Sequence, residues 1–126
     1  MNWTDLPCNE LLRRVFIQPP KVGAIDLLEV QIKSDGPAVI IGFDLVGVLP
    51  DNPPTKWGSD FNRCRMGIYC LGVSNLSIEG LARNMIANVN FHIFENVNHV
   101  EVKGEFFKMN FDCADISITG PSVYIS

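Results

Sequence analysis

The feature that most constrains this chain is alternating apolar residues that pair by arithmetic. In "LLEVQIKSDGPAVIIGFDL", a turn centred on Asp35-Gly36 places opposite each other residues whose numbers sum to 71. Ile32 then faces Val39, Val30 faces Ile41, and Leu28 faces Phe43. The three apolar pairs share one face, and a slip of one residue would turn all of them to water. Pro37 has no N–H to close a two-residue turn, so a four-residue loop is expected. "NVNFHIFENVNHVEV" aligns in the same way around Phe94–Val97, with Phe91 on Val100 and Val89 on Val102. "HVEVKGEFFKMNF" aligns around Gly104-Glu105, with Val102 on Phe107 and Val100 on Met109. A Gly-X pair suits a type II′ turn. Val100 and Val102 then sit in the centre of a three-stranded antiparallel meander.

The remaining stretches extend this pattern. "FNRCRMGIYCLGV" reads as one long strand, with Cys64, Met66, Ile68 and Cys70 on one face and Arg63, Arg65 and Tyr69 on the other. Gly72 marks a bulge at its end. "ADISIT" and "SVYIS" read as closing strands separated by Gly120-Pro121. In "SNLSIEGLARNMI", Leu81, Ala82, Met85 and Ile86 fit either one helical turn or a strand edge. One helix is expected near the start, where Leu11, Leu12, Val15 and Phe16 of "PCNELLRRVFIQPP" share a face. Pro7 suits its first turn, Pro19-Pro20 stop it, and Trp3 folds back as a hydrophobic staple. The expected fold is mainly β, at the margin of α+β. It is a strongly bent antiparallel sheet, a sandwich or an open barrel, with seven or eight strands and one N-terminal helix. No βαβ alternation is present, which excludes a Rossmann-like fold. Residues 1–126 form a single domain at this length.

Composition narrows the function. A hydrophobic share of 47% supports a packed core rather than a disordered chain. A net charge of −4 argues against nucleic-acid binding, which needs a basic face, and permits docking to a basic protein. No apolar run reaches the ~18 residues of a membrane span, and "MNWTDLPCNELLRR" lacks the apolar core of a secretory signal. The expected location is therefore cytoplasmic. Cys8, Cys64, Cys70 and Cys113 are expected to be free thiols. Cys64 and Cys70 share a strand face about 20 Å apart, too far for a shared metal or disulfide. His92 falls opposite His99 with Glu101 diagonal, but zinc wants three or four ligands in a shaped pocket. The carboxylates are scattered, there is no GxSxG and no phosphate loop, and no cofactor is implied. The chain reads as a non-enzyme.

"PDNPPTKWGSDFNR" is too stiff for a plain connector. It carries three prolines and one of two tryptophans. One reading has Trp57 plugging an end of the core, since tryptophan is highly buried on average. The other has a rigid acidic finger offering an aromatic hot spot at low entropic cost.

The order "VFIQPPKV … LLEVQI … DG … AVIIGFDL … LPDNPPTKW … FNRCRMGIYCLGV" resembles the immunity protein 50 family of bacterial polymorphic-toxin systems. The likeness runs over roughly residues 10 to 75, and its most specific part is Pro53-Pro54 with Lys56-Trp57. The resemblance implies a small protein that binds a cognate toxin domain and blocks it. A basic nuclease is a natural target for an acidic inhibitor that occupies the phosphate site. Asp51, Trp57 and Asp60 of the loop and Glu101 and Glu105 of the meander are the expected contacts. The alternative is a non-enzymatic β-module that binds a small ligand or sugar, which would need a polar internal cavity. A third possibility, a structural subunit, would associate through a Phe94/Phe106 face.

Overall fold

A computed structural model describes all of Met1–Ser126. Eight strands form one sheet: β1 (Ala24–Lys33), β2 (Ala38–Leu45), β3 (Arg63–Leu71), β4 (Ser74–Glu79), β5 (Ile86–Phe94), β6 (Val97–Gly104), β7 (Lys108–Cys113) and β8 (Asp115–Tyr124). Their order is β4-β7-β6-β5-β1-β2-β3-β8, antiparallel throughout, and the sheet is not closed. The expected bent, mainly β architecture with one short N-terminal helix, α1 (Glu10–Val15), is what forms.

The bend has a specific origin. β1 and β5 overlap by only three pairs at their first residues: Ala24 with Asn88, Ile25 with Ala87, Asp26 with Ile86. Being antiparallel, they run apart from that corner in opposite directions. Short connections at 72–73 and 114 nonetheless return the chain between the far ends of the two halves. The half β1-β2-β3-β8 must therefore fold face to face onto β5-β6-β7-β4. Cys70 of β3 and Cys113 of β7 are accordingly both buried in the interior, where the neighbouring Cys113 and then burial push the Cys70 thiol up. The end remote from the corner is tied as well, since Ala114 N–H donates to the Leu71 carbonyl at 2.9 Å.

A cluster of 25 buried residues fills the space between the halves. Its largest member is Trp3, fully buried, 5.0 Å from the Phe43 ring and 5.9 Å edge-on to Phe91. Trp3 is thus a centre of the core rather than a staple on the helix. Leu12, Val15 and Phe16 bury the inner face of α1, and Ile118 N–H donates to the Pro7 carbonyl at 3.0 Å, joining the N-terminal segment to β8. Pro7 lies ahead of α1 rather than in its first turn, because the chain turns through Cys8 (φ 63°) before Glu10.

The first two registers form largely as the apolar pattern requires. Ile32 faces Val39 and Val30 faces Ile41. Phe91 faces Val100, Val89 faces Val102, and His92 faces His99. Glu95 and Asn96, both left-handed (φ 50° and 65°), make the two-residue turn of β5–β6. The loop at 34–37 has four residues, as Pro37 demands. One pair fails. A bulge between Leu27 and Glu29 puts Leu27, not Leu28, on Phe43, and leaves Leu28 exposed.

The third hairpin is displaced by two residues. Val102 pairs with Met109 and Val100 with Phe111, so the pair of Val102 with Phe107 does not form. Gly104 is not the turn glycine. A Cβ there would lie 2.5 Å from the Ile86 carbonyl oxygen, so this residue serves the close approach of β5. The turn moves on to Glu105-Phe106, closed by Gly104 N–H to Phe107 C=O at 2.7 Å. Two further expectations are corrected. β8 is one strand running through Gly120-Pro121, which its place at the sheet edge permits. Gly72 (φ 67°) forms the β3–β4 turn rather than a bulge. In "SNLSIEGLARNMI", Ser74–Glu79 is an edge strand and 80–85 is irregular, with Leu81 fully in solvent.

Candidate functional site

Antiparallel topology sorts the loops. The connections at 34–37, 72–73, 95–96 and 114 all leave from the end of the stack remote from the β1–β5 corner. The register aligns Lys33, Ala38, Leu71 and Asp115 as one row across the first half. In the second half, Phe94 faces Val97 and Ser74 faces Asp112. This turn end carries Asp35, Glu95, Asp112 and Asp115 against one cation, Lys33. It also leaves Ile93 and Phe94 about three-quarters exposed, at 75% and 73%, with Ile32, Leu71 and Val97 beside them. The strands here outrun the core, so inward-facing Ile32 and Ile93 have nothing to cover them.

The turn end holds one ordered polar network. His99 Nδ1 lies 2.8 Å from Asp112 Oδ1, and Asn75 Nδ2 donates to Asp112 Oδ2 at 2.9 Å. The Asn75 bond first, and then the His99 contact, hold the Asp112 carboxyl below its usual range. His92 stands across from His99 with ring centroids 6.4 Å apart. No group of three or more His, Cys, Asp or Glu is placed to hold a metal ion.

At the corner end, Asp51, Trp57 and Asp60 lie in the long β2–β3 connection; Glu101 and Glu105 lie in the other half of the sheet. Asp51 is committed to the fold: its Oδ1 accepts the Ile17 N–H at 2.6 Å and its Oδ2 the Gln18 N–H at 3.0 Å. Those two bonds, Gln18 first, hold its carboxyl below the usual range. Asn52 completes the clamp by donating its N–H to the Val15 carbonyl and its Nδ2 to the Arg14 carbonyl, each at 2.9 Å. These are terminal carbonyls of α1 that the helix leaves open. Trp57 ends a single 3-10 turn, Thr55–Trp57, closed by left-handed Gly58. Its ring is half-buried against the core edge rather than plugging it; Trp3 has the central place. Asp60 is exposed. Glu101 sits mid-strand between Asn90 and Asn110. Glu105 occupies a turn flanked by the facing pair Lys103 and Lys108. Phe94 is at the turn end and Phe106 at the corner end, so they share no face.

On the outer surface, Asp44 is the only buried charged residue. The Tyr124 hydroxyl donates to its Oδ2, while Arg65 Nε lies 3.8 Å from Oδ1 and its guanidinium stands 5.0 Å over the Tyr124 ring. Burial and then the Asp44 carboxylate push the Cys64 thiol up to about 12. This knot ties β2 to β3 and β8.

Fold and surface together define a class: a small antiparallel-β protein, one sheet folded on itself, with four of its acids at one end. The chain matches the family model for immunity protein 50 over residues 9–124. It belongs to that family and is an immunity protein, a kind of protein that binds a cognate toxin. No curated protein and no solved structure matches it. No helix is long and apolar enough to cross a membrane.

Proposed function

We propose that this immunity protein seats its turn end on a basic surface of its toxin domain and blocks that domain by occlusion. The observation that carries the reading is the segregation of Asp35, Glu95 and Asp115 around exposed Ile93 and Phe94, with Lys33 the lone cation. Apolar anchors within a charged rim are the usual anatomy of a protein interface. The acids steer encounter with a basic partner, and the aromatic supplies the desolvated contact that slows release. Glu95 adds a further hint. It holds a left-handed φ of 50°, which side chains with a Cβ occupy at some cost, and such residues cluster at functional sites. The expected contacts of the corner end belong to a different surface, where Asp51 is already spent on backbone N–H groups.

The test uses the cognate toxin domain. The triple variant Asp35→Asn, Glu95→Gln, Asp115→Asn should slow association at low salt and flatten its salt dependence, with dissociation little changed. Phe94→Ala should speed dissociation instead. Unchanged kinetics in both variants, with protection of toxin-expressing cells retained, would place the seat elsewhere. A wild-type chain that forms no complex and gives no protection would end the occlusion reading itself.

A further inference from the structure

The largest recess lies at the opposite end from the acidic turns. Between α1 and the Trp57 loop runs an open cleft of about 600 Å³. Leu11 and Val15 form its floor; Pro53, Pro54 and Trp57 wall it. The Asp51 and Asn52 clamp fixes the loop by two bonds to the last turn of the helix and two to Ile17 and Gln18 just after it, so the cleft is built before anything enters it. Its only charged lining residues are Arg14 and Lys56, both exposed. Neither takes part in an ion pair, since the two ion pairs of this protein are Asp44 with Arg65 and Asp112 with His99. An acidic protein thus presents a pre-formed, aromatic-walled cleft with two unpaired cations.

We infer that this cleft binds a carboxylate-bearing, extended segment of a protein partner, with Arg14 and Lys56 as its anion ligands and Trp57 and the prolines as its walls. Two free cations over an apolar floor favour an acidic side chain with apolar neighbours. A continuous polyanion fits poorly. Asp51 and Asp60 stand in the same loop, and the chain's charge of −4 opposes a phosphate backbone. A half-buried indole on a clamped loop loses little freedom on docking. The site is separate from the turn end and does not rest on the seat proposed there.

The measurement is an NMR titration of the isotopically labelled protein with the acetylated, amidated peptide Leu-Glu-Pro-Leu, which sets a single carboxylate among apolar neighbours. The chain has two indole N–H signals, and Trp3, buried in the core, is the internal control. The Trp57 indole and the backbone of Arg14 and of 53–58 should shift while the Trp3 indole stays still. The same peptide with glutamine or lysine in place of its glutamate should leave all of them in place. Arg14→Gln with Lys56→Gln should weaken binding by roughly tenfold or more, the scale of a lost charge-assisted bond. Both residues are exposed, so the melting temperature of that variant should hold. The triple variant at the turn end should titrate like wild type. An equal response to the glutamine peptide, or a response that survives the double variant, would overturn the site. Competition by inorganic phosphate or an oligothymidylate at the same signals would overturn its assignment to a carboxylate segment.

Discussion

Replacing Trp3 with alanine should be among the costliest single changes to the fold. The indole is fully buried, packs 5.0 Å from Phe43 and meets Phe91 edge-on at 5.9 Å, so both halves of the sheet lose their shared filler. Truncating such a residue costs about 3–5 kcal/mol, out of a total near 5–15 kcal/mol. At this chain length that is a drop of roughly 10–20 °C in melting temperature. Trp57→Ala removes a ring buried on one side only, and should cost about 1–2 kcal/mol. Trp3→Phe isolates a second effect. The Trp3 indole N–H is buried and meets no protein acceptor, and a buried unpaired donor costs about 1–3 kcal/mol. Phenylalanine keeps the aromatic contacts and removes that penalty, so this variant should lie much nearer wild type than Trp3→Ala does. Urea unfolding followed by far-ultraviolet circular dichroism avoids reliance on the deleted fluorophore. Equal losses for Trp57→Ala and Trp3→Ala would refute the assignment of the core centre. So would a Trp3→Phe variant as unstable as Trp3→Ala.

Asp51 is held below its ordinary value of 3.8, so its bonds stabilise the fold above about pH 4, and that contribution fades as pH falls through the lowered value. Asp51→Asn should therefore lower the melting temperature at neutral pH and blunt the acid decline, as read by thermal melts across pH. A thiol reagent should find Cys8 in the native protein and Cys64, Cys70 and Cys113 only after denaturation; fast reaction at Cys70 would contradict its place in the interior. Gly104→Ala puts a Cβ 2.5 Å from the Ile86 carbonyl oxygen and should cost about 1–3 kcal/mol in denaturant unfolding. Glu95→Asn suits the left-handed turn better, so it should keep or raise thermal stability while slowing association with a basic toxin domain.

Strand pairing was legible because alternation leaves little freedom where one face is buried. Val30 with Ile41 and Phe91 with Val100 are read from apolar spacing alone. Alternation is blind in two situations, and both occur here. Leu27 and Leu28 are adjacent and equally apolar, so nothing local says which one meets Phe43 across the bulge. A slip of two residues preserves the face, so Val102 fits Phe107 or Met109 equally well until the approach of Ile86 to Gly104 decides. The tryptophans were harder. Trp57 announces itself by its prolines, whereas Trp3 stands among polar neighbours and gains its central place only when the halves close. The candidate surface was half hidden for the same reason. Asp51 looks free until folding brings the N–H groups of Ile17 and Gln18 to it. The acidic end, though, was within reach of the sequence. In an antiparallel chain, alternate connections share an end, and Asp35, Glu95 and Asp115 lie at or beside alternate connections.

The strand order also sets when the fold can close. The half β5-β6-β7-β4 is one continuous stretch of chain, but the other half is interrupted: β3 waits beside β2 until β8, the last strand made, arrives to cover its open side. On the ribosome, a chain stalled before Asp115 has a bare β3 edge, no partner for the Pro7 carbonyl and no Tyr124 for Asp44. Such a nascent chain is open to edge pairing. The edge of β3 thus stays open from the time that strand is made until residues 115–124 follow and dock, so closure of this half waits on the most distant pairing in the sheet.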